Sequence, residues 1–299
     1  MIKGLGTALI TPFDANGAID YKALTRLLDT QLTGFVDYIV VLGTTGEAAT
    51  MSADEKREVR QFIVQYVKGR LPLVLGVGGN NTAAVCVELR EMKEELEQNY
   101  AAILSVCPYY NKPNQEGLFQ HFCKIAEASP IPVILYNVPG RTGVNLLPET
   151  VMRIYEAHPD KIVGIKEASG NVEQIKRLIA LSQEPRAKSQ EPLLVISGDD
   201  GIACEVIEAG GVGLISVASN AFAEDFWHIV HKKDPIKQAK YAEMIRLLFT
   251  EGNPVGIKAV LSQQGLIENV LRLPLVPASK DLTSKISHLL RTYDALITH

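Results

Sequence analysis

The feature that most constrains the fold is a series of eight short apolar segments in the first three quarters of the chain. Each segment is followed by glycine or polar residues and then by an amphipathic helical pattern. The segments are 4–11, 37–42, 71–77, 101–107, 131–136, 162–166, 193–197 and 212–217. Apolar strands that alternate with helices predict a parallel sheet with both faces covered.

Eight strands of this kind favour a sheet that closes on itself over an open, doubly wound sheet, which usually has fewer strands and leaves two edges. We therefore predict a (β/α)8 TIM barrel over residues 1–224. Residues 225–299 are predicted to form a C-terminal helical extension packed on the barrel, with helices at 226–249, 254–265 and 280–296. The polar, proline-flanked stretch 183–192 is predicted to be an exposed loop.

Composition and motifs exclude several classes of function. A net charge of −4 argues against a nucleic-acid-binding protein, and no apolar run is long enough to span a membrane. The four cysteines are scattered without a C-x-x-C pair, which favours a reduced, cytoplasmic protein. No complete dinucleotide or phosphate fingerprint, H-E-x-x-H motif or His/Cys cluster is found, so no metal site is predicted.

Lys166 is the first candidate for chemistry. It ends the sixth apolar segment, and the carboxyl ends of barrel strands are where catalytic groups gather. A lysine among apolar side chains loses hydration, which favours the neutral amine that forms a Schiff base with a carbonyl compound. The alternative interpretation is a strand-end lysine whose ammonium group reaches solvent.

Further candidates lie in loops that follow other strands. The turn 43–46 contains Thr44 and Thr45 between two glycines, and its backbone N–H groups could hold a carboxylate, although such turns are often only tight connections. Tyr136 ends the fifth strand and could act as a general acid or base. Thr45 could link Tyr136 to Tyr110 as a proton relay. Arg141 could bind a second carboxylate, although each of these residues also has a purely structural interpretation.

Six motifs, in this order and spacing, resemble the dihydrodipicolinate synthase family of pyruvate-dependent class I aldolases, a superfamily that includes N-acetylneuraminate lyase. They are Gly43-Thr44-Thr45-Gly46-Glu47, Pro108-Tyr109-Tyr110-Asn111, Tyr136-Asn137-Val138-Pro139-Gly140-Arg141-Thr142, Gly164-Ile165-Lys166-Glu167, Gly198-Asp199-Asp200 and Gly213-Leu214-Ile215-Ser216-Val217.

The resemblance implies condensation of pyruvate with L-aspartate 4-semialdehyde to 4-hydroxy-tetrahydrodipicolinate in lysine and diaminopimelate biosynthesis. It implies a covalent imine of pyruvate on Lys166 without a further cofactor, and a homotetramer built as a dimer of dimers. The resemblance also implies the roles of the site residues. Thr45, Tyr110 and Tyr136 would form the proton relay, and Thr44 and Thr45 would seat the pyruvate carboxylate. Arg141 would bind the carboxylate of the aldehyde, Gly198 and Ile215 would make further substrate contacts, and the side chain of Tyr109 would reach a neighbouring subunit.

Two other functions are kept as alternatives. The first is an aldolase for N-acetylneuraminate or a 2-keto-3-deoxy sugar acid, against which Arg141 argues because those relatives usually lack it. The second is a non-catalytic carboxylate-binding barrel, against which the full relay beside Lys166 argues.

The chain departs from the family's pattern at two places. Gly256 stands where the family often has a proline, and we expect Asn253 to cap the helix there, Pro254 to be its first residue and the helix start to be softened. At the cleft where lysine inhibits many members, the chain keeps Asn80 and Tyr109. The other positions are occupied by Ala48, Ala53, Lys56 and Ala84. We therefore expect weak inhibition by lysine or none.

Overall fold

The computed structural model describes residues 2–184 and 191–297, with side chains up to Tyr293. Most of the predicted exposed loop at 183–192 lies outside these ranges. The strands are β1 Gly4–Ala8, β2 Tyr38–Val41, β3 Leu73–Gly76, β4 Ala102–Val106, β5 Val133–Asn137, β6 Ile162–Glu167, β7 Leu194–Ser197 and β8 Gly213–Ser216. The helices are α1 Tyr21–Gln31, α2 Ala53–Val67, α3 Thr82–Glu91, α4 Lys93–Asn99, α5 Gln115–Ala128, α6 Pro139–Thr142, α7 Pro148–Ala157, α8 Val172–Gln183, α9 Ala203–Glu208, α10 Ser219–His231, α11 Pro235–Phe249, α12 Val255–Gln263 and α13 Lys280–Ile297.

The eight strands form one closed parallel barrel in sequence order, and β8 pairs with β1 to complete it. The predicted (β/α)8 barrel is therefore confirmed. Where the barrel closes, two glycines face each other because there is no room for a side chain. A Cβ atom on Gly213 would lie 2.1 Å from the carbonyl oxygen of Gly4.

The strands separate two apolar layers, as the alternation of side chains along a strand requires. In β5, Ile134 and Tyr136 belong to the layer inside the barrel. Val133 and Leu135 belong to the layer between the strands and the surrounding helices. This alternation decides which strand-end residues can reach the centre of the barrel.

The C-terminal helices differ from their predicted bounds. The predicted single helix 226–249 is wrong: α10 ends at His231, and Asp234 caps a new helix by accepting a hydrogen bond from the backbone N–H of Lys237. Pro235 takes the first position of that helix, where its missing N–H costs nothing. The predicted domain boundary after Glu224 falls inside α10. The helical segment after β3 is likewise divided into two helices, α3 and α4, which meet at Met92.

The predicted start of α12 is also wrong. The helix begins at Val255, after Pro254, and Asn253 does not cap it. Gly256 has a packing role that the sequence did not indicate, because a Cβ atom there would lie 2.5 Å from the Cα atom and the carbonyl oxygen of Leu248 on α11. The glycine lets α11 and α12 approach closely.

Candidate active site

Lys166 and Tyr136 lie side by side at the carboxyl ends of β6 and β5. They are directly paired in the strand register, so their side chains extend from the same face of the sheet into the barrel. Both side chains are buried, and Nζ of Lys166 lies 4.4 Å from the centre of the Tyr136 ring. The amine and the phenol predicted from the sequence are thus brought together.

Two cavities meet at these side chains. The barrel cavity, of about 290 Å³, extends from the inside of the barrel to the side of α2 and α3. The rim cavity, of about 200 Å³, opens between the strand ends and the C-terminal extension. Thr45, Tyr136 and Lys166 line both cavities, so both cavities border the same three polar side chains.

The turn after β2 holds Thr45 at this junction. Residues Thr44–Gly46 form one turn of 3-10 helix, in which Thr45 is buried and Thr44 is exposed. The hydroxyl of Thr11 donates to the carbonyl oxygen of Gly46 at 2.8 Å, and Glu47 ends the turn in the left-handed region at φ +52°. These contacts fix the turn from both sides, which gives the Thr45 hydroxyl a defined position.

Arg141 lies on the short helix α6 and lines the rim cavity. Its guanidinium group is exposed and donates from Nη2 to the carbonyl oxygen of Asn253, at 3.1 Å. A guanidinium group has five N–H donors, so most of its donors remain for a bound carboxylate.

Asn253 is a site residue that the sequence analysis missed. It is 7% exposed, lines the rim cavity, and donates from Nδ2 to Oγ1 of Thr45 at 2.8 Å. Its position before Pro254 is typical of a helix cap, and that local signal concealed its contact with a residue far away in the chain. The C-terminal extension therefore contributes a side chain to the site.

The two tyrosines after β4 differ in exposure and in position relative to the cavities. Tyr110 is 89% exposed, has a left-handed backbone at φ +74° and lines neither cavity. Tyr109 is 44% exposed and lines the barrel cavity, and its carbonyl oxygen accepts a hydrogen bond from Asn80 at 3.1 Å. A single chain thus brings Thr45 and Tyr136 to Lys166, but not Tyr110.

The two remaining predicted substrate contacts have different surroundings. Gly198 lines the rim cavity beside Lys166. Ile215 is fully buried in the apolar layer inside the barrel and lines neither cavity. Of the residues at the predicted lysine cleft, Ala48, Lys56 and Tyr109 line the barrel cavity.

Two buried carboxylates, those of Glu167 and Asp200, adjoin the site. Both belong to the sequence motifs given above, but the sequence did not indicate a role for either. Glu167 accepts hydrogen bonds from Asn137 at 2.9 Å and from the backbone N–H of Ser169 at 2.8 Å. Asp200 accepts from the hydroxyl of Ser216 and from the backbone N–H of Val217. Burial raises the pKa of Asp200 to about 6, although the hydrogen bond from Ser216 opposes the shift.

Within 2–184 and 191–297, no three histidine, cysteine, aspartate or glutamate side chains are grouped so that they could hold a metal ion. Over the same ranges, none of the helices has the length and apolar character needed to cross a membrane.

Comparison with known proteins gives full-length similarities to one family. A model of the dihydrodipicolinate synthetase family matches residues 1–293. The chain is 44% identical over 297 residues to the 4-hydroxy-tetrahydrodipicolinate synthase of Parabacteroides distasonis, covering 97% of this chain and 96% of the relative. It is 47% identical over 290 residues to the synthase of the same name from Flavobacterium psychrophilum, covering 95% of each. The solved structure of dihydrodipicolinate synthase from Thermotoga maritima superposes with a TM-score of 0.91 at 39% identity, covering 98% of both chains.

Proposed function

Because the chain belongs to the dihydrodipicolinate synthetase family, we propose that the junction of the two cavities is its active site and that Lys166 is the amine that binds pyruvate. The enzyme is a lyase of the class I aldolase type. It condenses pyruvate with L-aspartate 4-semialdehyde to 4-hydroxy-tetrahydrodipicolinate, in lysine and diaminopimelate biosynthesis. The observation that carries the assignment of the site is the pairing of Lys166 with Tyr136 at a point where two cavities meet.

The proposed reaction needs only the lysine and groups that move protons. Nζ of Lys166 attacks the keto carbon of pyruvate, and loss of water gives a protonated imine. The imine accepts the electron pair when the methyl group loses a proton, and this step gives an enamine. The enamine carbon attacks the aldehyde carbon, and the aldehyde oxygen takes up a proton. The amine of the adduct then attacks the imine carbon, closes the ring and releases Lys166, so no additional cofactor is proposed.

Tyr136 and Thr45 are proposed to carry the protons in these steps. Both hydroxyl-bearing residues line the cavities that Lys166 lines, and a positioned acid or base contributes about 10²–10⁴-fold to a rate. Tyr110, the third proposed member of the relay, is exposed in the single chain. We propose that it acts in the site of a neighbouring copy, within a cytoplasmic homotetramer built as a dimer of dimers. This assignment gives Tyr110 the reach into a neighbouring subunit that the resemblance implies for Tyr109.

The two substrate carboxylates are proposed to bind at opposite sides of the junction. Thr44 and Thr45 would seat the carboxylate of pyruvate at their turn. The backbone hydrogen bonds within the turn use the N–H groups of Gly46 and Glu47 and not those of Thr44 and Thr45, which are proposed to face the carboxylate. Arg141 would hold the carboxylate of the aldehyde in the rim cavity. Gly198 would leave space for the imine, and Ile215 would act only as apolar support.

Borohydride reduction in the presence of pyruvate tests the role of Lys166. Reduction traps an imine as a stable secondary amine, which peptide mass spectrometry locates. We expect pyruvate on Lys166 in the wild type, none in Lys166→Ala, and a loss of condensation activity by several orders of magnitude in that variant. Lys161→Ala is the control, because Nζ of Lys161 donates to the carbonyl oxygens of Ser129 and Pro130 and the residue lines neither cavity. Pyruvate trapped elsewhere in an active Lys166→Ala enzyme would refute the assignment.

A substrate-specific effect tests Arg141. Arg141→Ala should raise the KM for aspartate semialdehyde more than the KM for pyruvate, because only the aldehyde has a carboxylate in the rim cavity. An equal rise in both constants would instead indicate that Arg141 mainly shapes the loop through its contact with Asn253.

A further inference from the structure

The contact between Asn253 and Thr45 joins the C-terminal extension to the centre of the proposed site. Asn253 lies between α11 and α12, and its Nδ2 atom donates to Oγ1 of Thr45 across a sequence separation of 208 residues. Both side chains are buried. The contact is therefore shielded from water, which would otherwise compete for both groups.

The direction of this hydrogen bond determines what the Thr45 hydroxyl can do. A hydroxyl group has one hydrogen to donate and two lone pairs, and its hydrogen rotates to suit its neighbours. When Oγ1 accepts from the amide of Asn253, its own hydrogen points away from Asn253. The hydrogen is then available to an acceptor in the cavities that Thr45 shares with Tyr136 and Lys166.

We propose that Asn253 is a positioning residue that holds the Thr45 hydroxyl as a hydrogen-bond donor towards the reacting groups. The proposal rests on the relay role of Thr45 given above and extends it. Without Asn253, the hydroxyl could turn its hydrogen away from the cavity, and the relay would be correctly oriented for only part of the time.

The surroundings of Asn253 argue against a role in stability alone. Its Oδ1 atom is buried and has no hydrogen-bond partner within the part of the chain that the structure describes. An unpaired buried carbonyl group is unfavourable, and a leucine of similar size would avoid it. Asn253 also does not cap α12, which begins after Pro254. The contact that its amide makes is with Thr45.

The contact with Arg141 can be separated from this one. Arg141 donates to the backbone carbonyl oxygen of Asn253, which every side-chain variant retains. Replacement of the Asn253 side chain should therefore affect the proton relay while leaving the proposed carboxylate ligand in place.

Two variants distinguish a donor from an acceptor. Asn253→Leu removes the hydrogen bond, whereas Asn253→Asp keeps an acceptor of the same shape but has no N–H group to donate. We expect each variant to lower kcat by about 10- to 100-fold, which is less than the usual effect of removing a proton-transfer group itself because the Thr45 hydroxyl remains in place. We expect the KM values for pyruvate and aspartate semialdehyde to change by less than about threefold. Rates are expressed per site trapped with pyruvate and borohydride, so that unfolded protein is not counted.

A double-mutant cycle with Thr45→Val separates orientation of the hydroxyl from general damage. If Asn253 acts through the Thr45 hydroxyl, Asn253→Asp and Asn253→Leu should lower kcat by no more than about twofold in the Thr45→Val background. A new charge or a disturbed helix start would act with full strength in that background as well.

Each other outcome has a definite meaning. An Asn253→Asp enzyme with wild-type kcat beside an impaired Thr45→Val enzyme would overturn the proposal, because the amide would then act as an acceptor or not at all. Equal losses with and without the Thr45 hydroxyl would overturn it too. A Thr45→Val enzyme with unchanged kcat would instead refute the relay itself.

Discussion

At the scale of single residues, the absence of a side chain at Gly198 gives Lys166 the space in which it extends. A Cβ atom at this position would lie 2.9 Å from Cε of Lys166 and 2.6 Å from Cβ of Ala168. The close approach is fixed by the strand backbone, because the N–H group of Gly198 donates to the carbonyl oxygen of Glu167 at 2.7 Å. The residue that follows β7 thus controls the path of the proposed nucleophile.

Gly198→Ala should displace the lysine amine. We expect kcat to fall by about 10- to 100-fold, since a shift of about 1 Å in a reacting group has an effect of this order. Steady-state kinetics and the rate of borohydride trapping measure it. Gly140→Ala is the control, because a Cβ atom at Gly140 meets no other atom within 4 Å, and its kcat should stay within about twofold of the wild type. A Gly198→Ala enzyme that traps pyruvate at the normal rate would show that Lys166 has room to spare.

Asp200 gives a prediction about pH. Burial raises its pKa from 3.8 to about 6, so between these values the folded protein holds a proton that the unfolded chain has lost. The contribution of this group to stability is present below about pH 4 and is lost as the pH rises through 6, by about 3 kcal/mol. Asp200→Asn cannot ionise. Its free energy of unfolding in urea, relative to the wild type, should therefore improve between pH 4 and pH 7 by about this amount. An unchanged difference at the two pH values would contradict the shift.

The place of a residue in the site can be predicted from the sequence where local rules determine which way its side chain points. Lys166 and Tyr136 end apolar strands, and parallel strand ends meet at one rim, so their proximity followed from the pattern. Asn253 could not be found in this way. An asparagine before a proline indicates a helix start, and nothing local reveals a partner 208 positions away.

At the scale of secondary-structure elements, a buried ion pair fastens the C-terminal extension to the turn that holds Thr45. Lys258 of α12 contacts Glu47, the residue that ends the turn, and both side chains are fully buried. Nζ of Lys258 also donates to the carbonyl oxygen of Val270 at 3.0 Å and lies 4.1 Å from the centre of the Phe13 ring. Burial lowers the pKa of Lys258 to about 8, although the carboxylate of Glu47 opposes this shift.

Removal of one partner of this pair should destabilise the fold strongly. Lys258→Met leaves the Glu47 carboxylate buried without its cation, and we expect the free energy of unfolding to fall by about 3–5 kcal/mol. The double variant Glu47→Gln with Lys258→Met should recover part of this loss, because neither charge of the pair then remains buried. Urea unfolding measures both.

An exposed pair provides the control for this prediction. Lys285 and Asp281 lie four residues apart on α13 in solvent. Lys285→Met should therefore change the free energy of unfolding by less than about 1 kcal/mol. If Lys258→Met were as mild as Lys285→Met, the buried pair would not hold the extension in place.

Element boundaries were harder to predict than element types. The helical pattern from 226 to 249 continues through positions 232–234, yet Asp234 and Pro235 start a new helix there. The signal for this break was present in the sequence as an aspartate cap followed by proline. At Gly256 the signal was absent, because the close approach of α11 becomes apparent only when the two helices are packed.

At the scale of the whole molecule, the barrel followed from the sequence because one unit is repeated eight times and an error in one unit does not change the others. The extension followed only as a set of helices. Its contribution to the site, through Asn253 and Lys258, depends on how it is folded back over the strand ends. The spacing of apolar residues along the sequence does not predict how the extension packs on the barrel.

The position of Tyr110 leads to a prediction about assembly. A tyrosine that is 89% exposed with a left-handed backbone is unusual, because a left-handed conformation is unfavourable for residues other than glycine. We expect this side chain to enter the active site of a neighbouring copy. If so, Lys166 and Tyr110 of any one site come from two different chains.

Mixing two inactive variants tests this arrangement. Lys166→Ala lacks the amine, and Tyr110→Phe lacks the relay hydroxyl, so we expect each enzyme alone to be strongly impaired. When the two are dissociated, mixed in equal amounts and reassociated, a mixed dimer has one site that combines the intact Lys166 of one chain with the intact Tyr110 of the other. Random pairing in a twofold-symmetric dimer restores about a quarter of all sites, and activity should rise accordingly. The same mixture without dissociation is the control. If the reassociated mixture has only the summed activity of its two components, Tyr110 either serves the site of its own chain or has no role in the relay.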